Sequence, residues 1–225
     1  MHIFCDFDGT ISSKDTTDEM LSQFAPKEWE AIEEEWRSGA IGSSECMKRQ
    51  IALIRAHQDD LDAALDCQSI DPTFPAFVSF CQALNLPVTI ISDGVDYFIR
   101  RILARHHLQH LPVIANHLTT IDAQSYALSS PYSNAKCEFA AGVCKCQQVD
   151  THADTSIFIG DGRSDFCAVT KADLIFAKST LAIYCEQQSI PYFAYHNFSD
   201  IIQSFKRDLP NIMDSNTSMP EYAFT

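Results

Sequence analysis

The stretch Ile3-Phe4-Cys5-Asp6-Phe7-Asp8-Gly9-Thr10 constrains the chain most. Ile3 to Cys5 is an apolar run of the length of one buried strand. It stops in two carboxylates one residue apart, and a glycine follows at once. In an open α/β sheet, ligands bind beyond the carboxyl ends of the strands. Side chains alternate along a strand, so an extended chain points Asp6 and Asp8 the same way. Two acids in one small space repel. A divalent cation between them relieves that repulsion and takes carboxylate oxygens as hard ligands. Taken alone, the same residues also describe a solvated turn, so the rest of the chain has to decide.

Residues 12–69 hold no strand-like run and read as four short helices. Met20, Leu21 and Phe24 mark the apolar face of the first. Trp29, Ile32 and Trp36 recur at helical spacing among Glu28, Glu30, Glu33, Glu34 and Glu35. Gly39 can end that second helix, and Ser43 or Ser44 can cap a third with face Met47, Ile51 and Ile54. Asp59 or Asp60 can cap a fourth, with Leu61 and Leu65. Four helices straight after a first strand suggest a lid rather than part of a sheet. Residues 72–84 read as a helix starting near its prolines. Residues 87–91 are a second buried strand, ending in Ser92-Asp93-Gly94, and a helix with Phe98, Ile99 and Ile102 follows. Residues 113–129 alternate and read as strands with a turn, while 137–149 read as a helix. Residues 156–159, 174–177 and 192–194 are further strands, the first running into Gly160-Asp161-Gly162-Arg163-Ser164-Asp165. Alternating strands and helices predict an α/β fold with a parallel, Rossmann-like sheet and right-handed crossovers. The expected division is a core of residues 1–12 and 70–207, a helical cap of 13–69, and a loose tail of 208–225.

The chain of 225 residues is 46% hydrophobic, enough for a real core, and carries a formal net charge of −14. That charge disfavours nucleic acid and anionic membrane as partners. No apolar run approaches membrane-spanning length, and no basic leader precedes an apolar stretch. The expectation is a cytoplasmic monomer or homodimer with a small-molecule partner. Nine cysteines without a disulfide rhythm are expected as mostly reduced thiols. Cys137, Cys144 and Cys146 form the one cluster, but C-x6-C-x-C is not a usual zinc spacing.

Three buried strands thus end in polar loops: Asp6-x-Asp8, Ser92-Asp93-Gly94 and Gly160-Asp161-x-x-x-Asp165. Parallel crossovers bring all three to one edge. These groups fit phosphoryl transfer through an aspartyl phosphate. Asp6 can attack phosphorus, and Asp8 can act as acid and base. Asp6, the carbonyl of Asp8 and Asp161 can hold Mg²⁺, with Asp165 orienting from behind. Ser92 and backbone N–H groups at Asp93 or Gly94 can hold phosphate oxygens, and a cation should complete the cage.

The order Asp6-Phe-Asp8-Gly-Thr10, Ser92-Asp-Gly94, Lys145, Gly160-Asp161-Gly-x-Ser-Asp165 resembles the haloacid dehalogenase superfamily. The resemblance implies the fold of that superfamily, with a helical cap inserted after the first strand as in its phosphoserine phosphatase-like branch. It implies Asp6 as nucleophile and Asp8 as acid/base. It also implies phosphate contacts from Ser92 and Lys145, with Lys136 the alternative lysine, and metal at Asp6, Asp8 and Asp161. An acid at Asp8 is the phosphatase and phosphomutase pattern. Asp15, the segment Gln23-Phe24-Ala25-Pro26-x-Glu28-Trp29 and the cysteines near Lys145 resemble the methionine-salvage phosphatases that act on 2-hydroxy-3-keto-5-methylthiopentenyl-1-phosphate.

The alternatives are a phosphoserine phosphatase, with Asp15 and Arg49 meeting the substrate, and a non-catalytic module that binds a phosphate ligand. Asp15 is equally readable as a helix cap. The acid at Asp93, where many relatives have glycine, has no account in the sequence.

Overall fold

The computed structural model describes residues 1–137, 140–151 and 155–214. Seven strands form one sheet: β1 (His2–Cys5), β2 (Val88–Val95), β3 (Val113–Thr120), β4 (Tyr126–Ser129), β5 (Ser156–Gly160), β6 (Leu174–Ala177) and β7 (Phe193–Ala194). Their order is β4-β3-β2-β1-β5-β6-β7, parallel throughout except for the β3–β4 pair. The order turns back at β1, so the crevice beside its carboxyl end is where this topology seats ligands. β2 and β5 flank β1, and their ends carry the Ser92 and Asp161 loops to the same edge.

A central parallel strand is covered on both faces, which explains the unbroken apolar run of β1. Ile3 and Cys5 face one buried cluster with Phe74, Phe77 and Phe98. Phe4 faces the other, with Ile91, Phe158 and Leu181.

The first four of the five helices between β1 and β2 are α1 (Thr16–Phe24), α2 (Glu28–Arg37), α3 (Ser43–Ile51) and α4 (Gln58–Asp66). The chain departs and returns at one point, an antiparallel bridge between Ser12 and Ile70. Met20, Leu21, Ile51, Ile54, Leu61 and Leu65 are buried and continuous with the core under the sheet. Asp15 caps α1, accepting from Thr17 N at 2.9 Å and Asp18 N at 3.0 Å. The other two expected caps are corrected. Gly42 precedes α3 and His57 precedes α4, neither with a side-chain cap bond, so Ser43 becomes the first residue of its helix.

The remaining helices are α5 (Phe74–Ala83), α6 (Asp96–Arg105), α7 (Lys145–Asp150), α8 (Ser179–Gln188) and α9 (Phe198–Asp214). α7 is shorter than the 137–149 read from sequence. Ahead of it the backbone amides bond elsewhere, Cys144 N to Tyr132 O at 2.9 Å and Val143 N to Asp93 Oδ1 at 2.8 Å. They are not available for a helical ladder. α9 runs to Asp214, beyond the Asp208 at which a loose tail was expected, and residues 215–225 lie outside the described residues. All nine cysteines are free. Among the described residues, no helix is long and apolar enough to cross a membrane.

Candidate active site

β1 ends at Cys5, but the Asp6 N–H still bonds Ile159 O of β5 at 2.9 Å, so Asp6 is fixed by the sheet. Its carboxylate is buried, and Lys145 Nζ lies 2.7 Å from its Oδ1. The same ammonium reaches Asp165 Oδ1 at 2.6 Å and Ser164 Oγ at 3.1 Å. Lys145 is wholly buried, whereas Lys136 is exposed. Burial alone would depress the Lys145 pKa, but Asp165 and Asp6 outweigh it and hold it above its ordinary value.

Asp165 is the hinge of the third loop. Its Oδ2 accepts from Asp161 N at 3.0 Å and Gly162 N at 3.1 Å, while Oδ1 holds Lys145. Asp161 is turned toward Asp6, and Thr10 Oγ1 donates to its Oδ1 at 2.8 Å. Gly9 makes room for it. A side chain there would bring Cβ to 2.6 Å from Asp161 Oδ2, and the φ of +75° is itself a glycine conformation.

The chain turns after Phe7, and Asp8 consequently does not join Asp6 in one cluster. Asp8 Oδ1 accepts from Thr16 N at 2.9 Å and Thr16 Oγ1 at 2.6 Å, which ties it to the start of α1. Its Oδ2 lies 3.4 Å from Ser92 Oγ, and that hydroxyl also accepts from Gly94 N at 2.9 Å. Burial, with the Asp15 carboxylate adding to it, lifts the Asp8 pKa to about 7 against the Thr16 bonds. Asp6 is raised well above the carboxylate range by burial and then by Asp165. Asp161 is raised to about 6 by the same two causes.

Carboxylate oxygens of Asp6, Asp161 and Asp165 lie within 4.8 Å of one another. That set fits a hard divalent cation. Buried acids with raised pKa values are negative charge that the protein leaves undercompensated, and oxygen donors are what such a cation takes. Both Asp165 oxygens already have donors, so Asp6 and Asp161 are the freer ligands and Asp165 stands behind them.

Asp6, Asp8 and Asp161 floor a cavity of about 280 Å³, with Asp165 behind them, and the inserted helices wall it. The wall carries Asp15, Asp18 and Glu33 beside Trp36, Met47 and Gln50. Gln50 Nε2 donates to Glu33 at 3.0 Å. Asp18 is lifted to about 7 by burial, then by Asp15 and Glu33. Thr17 lines the cavity too, and its buried hydroxyl has no hydrogen-bond partner. Asp15 is therefore both helix cap and cavity wall.

Arg49 is not brought to the site. It makes a two-pronged pair with Glu35, at 2.6 and 2.9 Å, away from the cavity-lining residues. Asp93 lines the cavity, but its carboxylate bonds Ser43 Oγ and Val143 N. Sequence reasoning quoted Thr10 and Ser164 within the motifs without giving them a role, and missed Thr16, Thr17, Glu33 and Gln50. No spacing marks those four; each matters because folding places it against a motif carboxylate or the cavity.

The haloacid dehalogenase-like hydrolase family model matches residues 3–169. A 2-hydroxy-3-keto-5-methylthiopentenyl-1-phosphate phosphatase from Brevibacillus brevis is 32% identical over 209 residues, covering 89% of this chain and 93% of that one. The protein of the same name from Bacillus cereus is 28% identical, covering 92% and 96%. Among solved structures, a phosphoserine phosphatase captured as a phospho-aspartyl intermediate analogue superposes with a TM-score of 0.68 at 18% identity, covering 89% of this chain and 96% of that one. Cytosolic 5′-nucleotidase IIIB bound to cytidine gives 0.65 at 14% identity, covering 94% and 87%. Those two likenesses speak to the fold, which the motif order and sheet topology already describe. With the family model spanning most of the chain, the protein belongs to the haloacid dehalogenase-like hydrolases.

Proposed function

We propose that this hydrolase is a phosphatase that cleaves a small phosphomonoester through a phosphorylated Asp6. The observation that carries this reading is the placing of a buried Asp6, held by Lys145, and an Asp8 tied to Thr16 and beside Ser92 around one cavity. Lys145 holds Oδ1 of Asp6, which leaves Oδ2 to attack phosphorus. The bond from phosphorus to the leaving oxygen breaks, and protonated Asp8 gives that oxygen its proton. Asp8, now ionised, takes a proton from water. The water oxygen attacks phosphorus, the Asp6–phosphorus bond breaks, and inorganic phosphate leaves. Ser92 and the Lys145 ammonium stabilise phosphate oxygens, with the backbone at Asp93 and Gly94 alongside. A divalent cation, Mg²⁺ in our reading, would be held by Asp6 and Asp161, with the Asp8 carbonyl adding a donor and Asp165 behind, and would supply charge neutralisation. Residues 13–69 act as a cap over a core of 1–12 and 70–207.

For the substrate, we favour 2-hydroxy-3-keto-5-methylthiopentenyl-1-phosphate or a close relative, after the names of the relatives. The wall supports this choice. Trp36 and Met47 offer apolar surface for a thioether, and Gln50, Glu33 and the unpaired Thr17 hydroxyl suit hydroxyl and keto groups. Phosphoserine fits less well, because its carboxylate would meet Asp15, Asp18 and Glu33. Among the described lining residues the cation is Arg163, and it packs on Trp36 and donates to Arg37 O at 3.1 Å. A module that only binds phosphate would have no use for an acid poised near pH 7 beside a second, metal-fitting one.

The test is phosphate release with Mg²⁺ from a panel holding the methylthiopentenyl ester, phosphoserine, phosphoethanolamine and p-nitrophenyl phosphate. Fastest turnover of the methylthiopentenyl ester, abolished by EDTA, is expected. Equal turnover of all esters would overturn the substrate reading, and no release from any would overturn the phosphatase reading.

A further inference from the structure

Asp93 follows Ser92 near the end of β2, and its carboxylate joins three segments far apart in sequence. Oδ2 accepts from Ser43 Oγ, at the start of α3. Oδ1 accepts from Val143 N at 2.8 Å and lies 3.3 Å from Asn116 Nδ2, which also donates to the Asp93 carbonyl. Val143 stands two residues before Lys145. The segment leading to Lys145 meets α3 a second time, through Ser44 N and Ala140 O at 3.2 Å. Two glycines permit this convergence. A Cβ on Gly142 would come within 2.7 Å of Asp93 Oδ1, and one on Gly42 would reach 2.7 Å from Ala140 O.

We propose that Asp93 is a positioning residue that couples the seating of α3 to the placement of Lys145. The proposal rests on the phosphatase reading only for the meaning of Lys145; the coupling itself is a property of the fold. A carboxylate taken from water needs donors to offset its desolvation. Here the donors come from the insert, from β3 and from the Lys145 segment. Losing Ser43 leaves the anion under-satisfied and loosens its hold on Val143. The root of Lys145 then shifts against Asp6. A glycine at this position, with no carboxylate, would leave the same three segments without a common partner.

The experiment compares Ser43→Ala, Asp93→Ala, Asp93→Asn and the double alanine variant. It measures kcat and KM on the fastest ester, thermal midpoints, and amide hydrogen exchange across residues 140–145. Ser43→Ala should lower kcat about tenfold and Asp93→Ala about a hundredfold, the scale of an ångström-level misplacement, with KM changed less. The double variant should match Asp93→Ala alone, because both remove one linkage. Asp93→Asn should recover most of kcat, since its Oδ1 still accepts from Val143 and its Nδ2 can donate to Ser43 Oγ. Exchange at 140–145 should quicken in Ser43→Ala although that residue lies in the insert.

Multiplying effects of the two single variants, or unchanged exchange in Ser43→Ala, would overturn the coupling while leaving the phosphatase reading intact. A wild-type protein that releases no phosphate would sink that reading instead, and the exchange measurement would still decide the coupling. Should Asp93→Ala not fold, Ser43→Ala alone carries both measurements.

Discussion

The floor and the wall of the cavity are both built from acids, and they differ in how firmly those acids are held. On the floor and just behind it, Asp6 and Asp165 share the buried Lys145, Asp165 takes two backbone amides, and Asp161 takes Thr10. On the wall, Asp15, Asp18 and Glu33 gather with little positive charge. Glu33 has Gln50 at 3.0 Å and Arg37 at 3.3 Å, but Asp18 is raised by burial and then by Asp15 and Glu33. A floor of acids fixed in place by donors, yet still short of positive charge, suits a cation and chemistry at phosphorus. A wall of undercompensated charge suits discrimination, because it repels anions at the leaving-group end while accepting hydroxyl donors.

The hardest way to break the floor is to remove its proposed nucleophile. Asp6→Asn keeps the size and most hydrogen bonding but should lower kcat by about 10⁴-fold or more, read in single-turnover phosphate release. Circular dichroism should stay native. Residual activity near wild type would remove the covalent step. Lys145→Met attacks the same floor through stability. It strands Asp6 and Asp165 as buried carboxylates, and breaking one partner of a buried pair costs about 3–5 kcal/mol. The urea midpoint should fall accordingly, and less so in Mg²⁺. An unchanged midpoint would mean that the ammonium does not hold the floor together.

Asp8 lies between the two regions, and its titration separates them. In the proposed mechanism Asp8 must be protonated to release the leaving group, so kcat/KM should fall as pH rises through about 7. Asp8→Asn should lose about 10²–10⁴ in kcat and the limb that Asp8 controls. The same raised values fix a stability trend. Asp8, Asp18 and Asp161 bind protons in the folded state at pH values where the unfolded chain, with ordinary values near 3.8, has lost them. Below pH 4 both states are protonated. Between about pH 4 and 7 the folded state holds more protons, so its stability falls as pH rises. Denaturant titrations in EDTA should show that decline, and Mg²⁺ should flatten it. Stability that rises across this window in EDTA would show that these acids are not held neutral by the fold.

What the sequence made legible follows from this division. Asp6, Asp8, Ser92, Asp161 and Asp165 stand at strand ends, where chain order and spacing already say which edge they share. The four inserted helices were legible from their apolar faces, because periodicity reports burial directly. The wall was not. Glu33 and Gln50 sit on different helices, and their meeting depends on how α2 packs on α3. The helix expected over 137–149 begins only at Lys145 for a related reason. Its amides at Val143 and Cys144 are claimed by Asp93 and Tyr132, partners no local pattern announces. Asp93 itself has no account in the sequence, and only tertiary contacts show its carboxylate turned to Ser43.

The smaller predictions sharpen the wall. Glu33→Gln removes one acid while keeping the Gln50 contact. It should narrow the preference for the methylthiopentenyl ester over phosphoserine about tenfold, the scale of one charge contact in discrimination. An unchanged ratio of kcat/KM values would show that the wall does not select by charge. Arg49→Ala is the control of least effect. Its guanidinium is engaged by Glu35 on the outside of the insert, so a substrate carboxylate in the cavity has no access to it. An exposed pair of this kind contributes little to stability. KM for phosphoserine should therefore move less than about twofold, within the weak reach of a screened surface charge. A tenfold rise would mean that Arg49 leaves Glu35 to meet the carboxylate, and that the wall changes its charge when substrate arrives. The acid wall discriminates as argued only if that exchange does not occur, so this small effect bears on the reading of the whole cavity.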